Sequence, residues 1–164
     1  MRRSLIGTAL TALVLAVPAG AELPKAGVLV PGRSLGGVRI GESARDVRAA
    51  LGSFHGVCTD CARTAWYFTY KPFDKHGLAV ELERGRVSGV YTLWRPRGWH
   101  AARGLRLGAT PLEVHRRVGT TRTLTCVGYD ALVRDSARAR TVYYVYGSRL
   151  WGFGLFRKGT DPCR

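Results

Sequence analysis

The chain of 164 residues contains no Asn and no Gln, and it sets only 11 acidic residues against 26 Lys and Arg. Arg outnumbers Lys 22 to 4, so guanidinium groups stand where side-chain amides would ordinarily populate the surface. The formal net charge of +15 disfavours cationic partners and invites a polyanion such as a cell-wall polymer, an anionic lipid or nucleic acid. No block of five or six like charges occurs, so the charge is spread over the surface and no specific nucleic-acid-binding arm is expected. Chemical motifs are missing too. There is no Gly-x-Ser-x-Gly elbow, no phosphate loop of the G-x-x-x-x-G-K kind and no strand-flanked G-x-G-x-x-G. The four His (His55, His76, His100, His115) are scattered through the chain. The expectation is a protein that is not an enzyme, with no catalytic residue, no cofactor and no metal site.

Long apolar runs are absent after the first 21 residues. Residues 1–21 read as a secretory signal peptide: Arg2 and Arg3 form the charged head, Leu5 to Val17 is a short apolar stretch, and Ala19-Gly20-Ala21 is a small-residue cleavage pattern. An uncleaved anchor is the alternative, disfavoured because the run is too short to span a bilayer comfortably. The mature chain is then expected to be secreted or extracytoplasmic, with no transmembrane span, and no lipobox Cys adjoins the cleavage point.

What is present is a sentence said twice. Residues 37–52 (Gly-Val-Arg-Ile-Gly-Glu-Ser-Ala-Arg-Asp-Val-Arg-Ala-Ala-Leu-Gly) return at 104–119 as Gly-Leu-Arg-Leu-Gly-Ala-Thr-Pro-Leu-Glu-Val-His-Arg-Arg-Val-Gly, at an offset of 67 without a gap. Each copy predicts a short helix. Ser43 and Thr110 are placed to cap it, Asp46 and Glu113 lie three residues on, where a carboxylate reaches back to the cap amide, and Gly52 and Gly119 end it in a left-handed conformation. Pro111 suits the first helical position. Helices of two turns are not stable alone and must lie on a sheet. Strands are predicted at 64–70, 78–83 and 86–94, then at 129–134, 141–146 and 149–156, with Val28–Val30 as a short edge strand. The fold class read from this pattern is α+β: two tandem repeats, each a short helix packed on an antiparallel β-meander. The predicted organisation is a lead-in at 22–36, a first repeat at 37–96 and a second at 97–164.

Val38-Arg-Ile-Gly41, Val47, Ala50-Leu-Gly52 and Trp66-Tyr-Phe68 resemble the helix motif and first long strand of the SmpA/OmlA family of bacterial outer-membrane-assembly lipoproteins. Two such units in one exported chain are also similar to the β-lactamase inhibitory proteins. The resemblance covers 37–94 and, more loosely, 104–156. It implies binding of another protein across a concave sheet, without catalysis. The chain departs from the lipoproteins in lacking the lipobox Cys, and from the inhibitors in its Cys spacing.

Four Cys in an exported chain point to two disulfides. Three pairings are possible; the preferred one joins Cys58 to Cys61 and Cys126 to Cys163, tying the C-terminal residues onto the second repeat. Cys58-Thr-Asp-Cys61 also matches a thiol-oxidoreductase motif, but it runs almost directly into the aromatic strand and leaves no room for the helix whose dipole would lower a thiol pKa. A zinc site of His55, Cys58, Cys61 and a fourth ligand lacks a closing pair.

Helices on one face of the sheet would leave the other for a partner. Aromatics exceed what a one-sided core needs, and Trp, Tyr and Arg are typical of interface hot spots. Tyr67, Tyr143 and Trp151 are the candidate partner-binding residues, although the side-chain parity of 141–146 is ambiguous because both sets of alternate positions are apolar. The function expected is a secreted, non-catalytic module that recognises another protein through an aromatic and Arg-rich sheet face. Its alternatives are a cationic module that binds an anionic cell-envelope polymer, or a Cys-x-x-Cys thiol oxidoreductase.

Overall fold

A computed structural model describes residues 23–164; the signal expected at 1–21 lies outside the described residues. The strands and helices in chain order are β1 (Val28–Val30), β2 (Ser34–Leu35), α1 (Ala44–Leu51), β3 (Gly56–Cys58), β4 (Thr64–Thr69), β5 (Gly77–Glu83) and β6 (Arg86–Leu93). Then follow β7 (His100–Ala101), β8 (Leu105–Arg106), α2 (Pro111–Val118), β9 (Arg122–Cys126), β10 (Tyr129–Asp135), β11 (Ala139–Tyr146) and β12 (Arg149–Arg157). Strand accounts for 45% of the structure and helix for 13%, so the fold is mostly β. The α+β expectation of two helix-on-meander repeats is thereby overturned. Eight strands form a single sheet in the order β3-β4-β5-β6-β12-β11-β10-β9, and antiparallel pairing of β6 with β12, Leu155 opposite Val90, fuses what the sequence suggested were separate meanders.

A second, four-stranded sheet in the order β2-β1-β7-β8 was not anticipated. It is built from the lead-in, which supplies β1 and β2, and from the opening residues of the predicted second repeat, which supply β7 and β8. β1 is not an edge strand, because it pairs antiparallel with β2 and parallel with β7. Trp99 explains why these segments are ordered: its ring is buried and occupies the space a Cβ would need at Gly27 and at Gly36, 2.5 and 2.7 Å away. Those two positions tolerate no side chain while the indole is there.

Both helices are held by reciprocal caps. Ser43 Oγ accepts from the Asp46 amide, and the Asp46 carboxylate accepts from Ser43 N–H at 3.0 Å; Thr110 and Glu113 repeat the arrangement, with Thr110 N–H donating at 2.7 Å. The loops before the helices are sewn to the sheet in the same manner. Gly41 N–H donates to Val87 O and Val87 N–H to Glu42 O; Gly108 N–H donates to Leu150 O and Leu150 N–H to Ala109 O. Gly52 and Gly119 end the helices at φ 95° and 82°, but their ψ values of 170° and −166° are extended and not left-handed helical. That combination is essentially confined to glycine.

Two apolar layers flank the large sheet. Val47, Leu51, Val114 and Val118 of the helices, with Leu29, Leu35 and Leu105 of the small sheet, pack against Phe68, Leu78, Val80, Tyr143 and Phe153. The opposite face carries Ala79, Tyr91, Val133, Val142, Tyr144 and Phe156. The alternation of Leu78 and Val80 with Ala79, and of Tyr143 with Val142 and Tyr144, places the layers on opposite sides of one sheet.

Candidate functional site

The second face of the large sheet is not open. Residues 158–164 cross it as a strap. Tyr144 Oη donates to Pro162 O at 2.8 Å, Arg140 Nη1 donates to Thr160 O at 2.8 Å, and Cys163 is disulfide-bonded to Cys126 at the end of β9. The guanidinium of Arg164 reaches Glu81 in β5, donating from Nη2 at 2.9 Å, and lies 4.9 Å from the ring centre of Phe156 and 5.9 Å from that of Tyr91. Glu81 is 4% exposed and also receives Arg63 at 3.3 Å, so a buried carboxylate is matched by two guanidinium groups and aromatic walls. Burial of an unpaired carboxylate is strongly unfavourable. The strap is therefore bound to the sheet chemically as well as covalently.

This rearranges the predicted partner-binding residues. Tyr143 is fully buried on the helix side of the sheet, edge-on to Phe153 with ring centres 6.3 Å apart, so it is corrected to a core residue. Its hydroxyl finds no hydrogen-bond partner among the described residues, and burial pushes the phenol up to about 12. Tyr67 and Trp151 do lie on the strap side, both half-buried. Trp151 packs on Tyr144 at 5.7 Å, on Tyr129 at 5.9 Å and edge-on to Trp94 at 6.4 Å. Both faces of the strand at 141–146 are covered, so its sequence shows no polar alternation that could reveal the parity.

The cysteines pair as Cys58–Cys61 and Cys126–Cys163. Cys58 ends β3, Cys61 lies in the turn leading to β4, and neither opens a helix. His55 stacks on Trp66 with ring centres 4.2 Å apart. Among the described residues no cluster of three or more His, Cys, Asp or Glu is arranged to hold a metal ion.

One end of the large sheet carries a different kind of surface. A cleft of about 910 Å³ is lined by Lys25, Phe54, Lys71, Asp74, His76 and Arg97 among others. A second of about 640 Å³ adjoins it, sharing His76 and Arg97 and adding Lys75, Trp94, Arg95, His100 and Arg106. Among the described residues the two clefts present six Lys or Arg side chains against a single carboxylate, that of Asp74. Asp74 is already engaged: its Oδ1 is 2.9 Å from His76 Nδ1 and accepts from His76 N–H at 3.1 Å, and these bonds hold its carboxyl below the usual value. Among the described residues none of the six cations is paired with a carboxylate.

The scaffold that presents them is rigid at its base. Trp99 Nε1 donates to Tyr70 Oη at 2.7 Å, and Tyr70 Oη donates to Pro24 O at 3.1 Å, so the floor beneath the cleft is tied to the chain on both sides. None of these residues carries a motif. The signals in the sequence are the pair of lysines around Pro72-Phe73-Asp74 and the Trp-Arg-Pro-Arg stretch at 94–97.

No known protein family and no functionally curated protein matches the chain. Two solved structures share its fold. A DUF4309 family protein (YjgB) from Bacillus subtilis subsp. subtilis str. 168 aligns with a TM-score of 0.52 and 21% identity, over 71% of this chain and 79% of that one. An extracellular protein containing an SCP domain, from Bacillus anthracis str. Ames, aligns with a TM-score of 0.55 and 9% identity, over 73% of this chain. The alignment spans 44% of that second protein's length.

Proposed function

We propose that the chain is a non-catalytic extracytoplasmic module that attaches to an anionic component of the cell envelope through the basic end of its large sheet. The observation that carries this reading is the pair of adjoining clefts that, among the described residues, gather six cations against one carboxylate already engaged by His76. Like charges gathered with no internal counter-ion repel one another, and an external polyanion relieves that repulsion. Two disulfides suit an oxidising compartment, and no helix among the described residues is long and apolar enough to cross a membrane. The similarity in fold to a protein described as extracellular agrees with that placement.

Recognition of a protein through the aromatic sheet face is the weaker reading, because the strap covers much of that face and Tyr143 is not on it. Electrostatic attachment predicts a definite response to salt. Retention of the full chain on immobilised dextran sulfate should fall steeply as ionic strength rises past the point where the screening length shrinks below about 8 Å. Replacing Lys75 and Arg97 together by Glu should lower the affinity at least tenfold at low salt. Salt-independent retention, or a charge-reversed variant that binds like the parent, defeats the proposal.

A further inference from the structure

The basic end also carries exposed aromatic rings, which electrostatics alone leaves unexplained. Phe73 is fully exposed, Phe54 is 73% exposed and Trp94 55% exposed. Phe54 lines the first cleft and Trp94 the second, while Phe73 sits between Pro72 and Asp74 of the first. Lys75 Nζ lies 5.2 Å from the ring centre of Trp94, so cation and ring are presented together. Phe73 occupies the tip of the β4–β5 loop. Asp74 N–H donates to Lys71 O at 3.0 Å, closing a turn with Pro72 second and Phe73 third, at φ 61°. The third position of such a turn ordinarily takes glycine. Trp94, the residue immediately after β6, is likewise at φ 53°. Two bulky rings thus stand at left-handed positions, Phe73 fully in solvent and Trp94 half-exposed, with lysines two residues to either side of Phe73.

We infer that this end of the molecule docks on an anionic lipid surface, with Phe73, Phe54 and Trp94 entering the headgroup boundary while the surrounding Lys and Arg meet lipid phosphates. The inference deepens the attachment proposed above and rests on it. A hydrated polymer offers charge but no apolar layer to receive a phenylalanine at a loop tip, whereas a bilayer interface offers both. Charge complementarity alone fits either; the solvent-facing rings favour the bilayer.

Sedimentation with vesicles of phosphatidylcholine and phosphatidylglycerol, against vesicles of phosphatidylcholine alone, tests this on the full chain. Binding is expected only to the anionic vesicles. Phe73→Ser should weaken it roughly tenfold, the loss expected for one interfacial aromatic ring, and leave elution from dextran sulfate unchanged. Because Phe73 makes no core contact, the variant keeps its fold, checked by near-ultraviolet circular dichroism. As a second measurement, Phe73→Trp should gain fluorescence quenched by brominated phosphatidylglycerol, relative to the parent. Vesicle binding unaffected by Phe73→Ser, or no added quenching in Phe73→Trp, overturns the lipid assignment. Binding to dextran sulfate without binding to anionic vesicles also overturns it while leaving polyanion attachment standing, and failure to bind either removes both.

Discussion

At the residue scale, the sheet is governed by rings and by the glycines that make room for them. Phe156 lies over Gly89 and Gly154, where an added Cβ would come within 2.6 Å of its ring. Phe156 is fully buried and cannot swing aside. Gly154→Ala should therefore destabilise the protein by about 1–3 kcal/mol, measured by chemical denaturation, as overpacking of a filled core does. Tyr143 gives the opposite expectation. Its buried hydroxyl has no partner among the described residues, so Tyr143→Phe loses no hydrogen bond and removes a desolvated polar atom. Its stability should be equal to or above that of the parent; a loss greater than about 1 kcal/mol would reveal a hydrogen bond that the structure does not show. These particulars were illegible in the chain. Glycine in a strand reads only as a weak strand former, and nothing in Thr141-Val-Tyr-Tyr-Val-Tyr146 says which ring turns inward.

At the element scale, the helix termini were the most legible part of the molecule. Ser43 with Asp46 and Thr110 with Glu113 form the two-way bonds their spacing implied, because a cap is a local device settled within four residues. Ser43→Ala and Thr110→Ala should each cost about 1 kcal/mol in urea denaturation, nearly additively since the sites lie in separate helices. The strand pairs at 78–83 with 86–94 and at 141–146 with 149–156, each joined by a two-residue turn, were legible for the same reason. β3 and β9 were not. They are short edge strands with mostly exposed residues, so no alternation marks them. Apart from Val28–Val30, the small sheet was illegible because its strands of two or three residues are ordered by the Trp99 ring and by a parallel pairing that no local pattern announces. The joining of β6 to β12 is likewise a long-range event, and it is the reason two suspected units became one mostly-β sheet.

On the scale of the whole molecule, charge and covering decide behaviour. Asp46, Asp74, Glu113 and Asp135 are all held below their ordinary values, by hydrogen bonds from Ser43, His76, Thr110 and Arg140 respectively. A carboxylate whose folded value is depressed stabilises the fold fully above its unfolded value and loses that contribution as protons are added. Stability should accordingly be flat above the ordinary values of 3.8 and 4.5 and fall as the pH drops through the lower folded values. Thermal melts taken at successive acid steps check this. A rise in stability on acidification would show that relief of other repulsions dominates. The overall charge invites an anion; only the fold brings Lys25, Lys71, Lys75, Arg95, Arg97 and Arg106 from four separate stretches to one end.

The strap carries a consequence for biosynthesis. Cys58 and Cys61 are separated by 3 positions and Cys126 and Cys163 by 37. A chain threaded out in order from its first residue delivers the near pair together while Cys163 is still inside. If oxidation keeps step with emergence, the early bond withdraws two thiols before the late ones arrive, leaving Cys126 a single eligible mate. Were the chain exported from its N-terminus, that order would proofread the connectivity, and scrambled isomers would belong to refolding from the reduced state in the test tube.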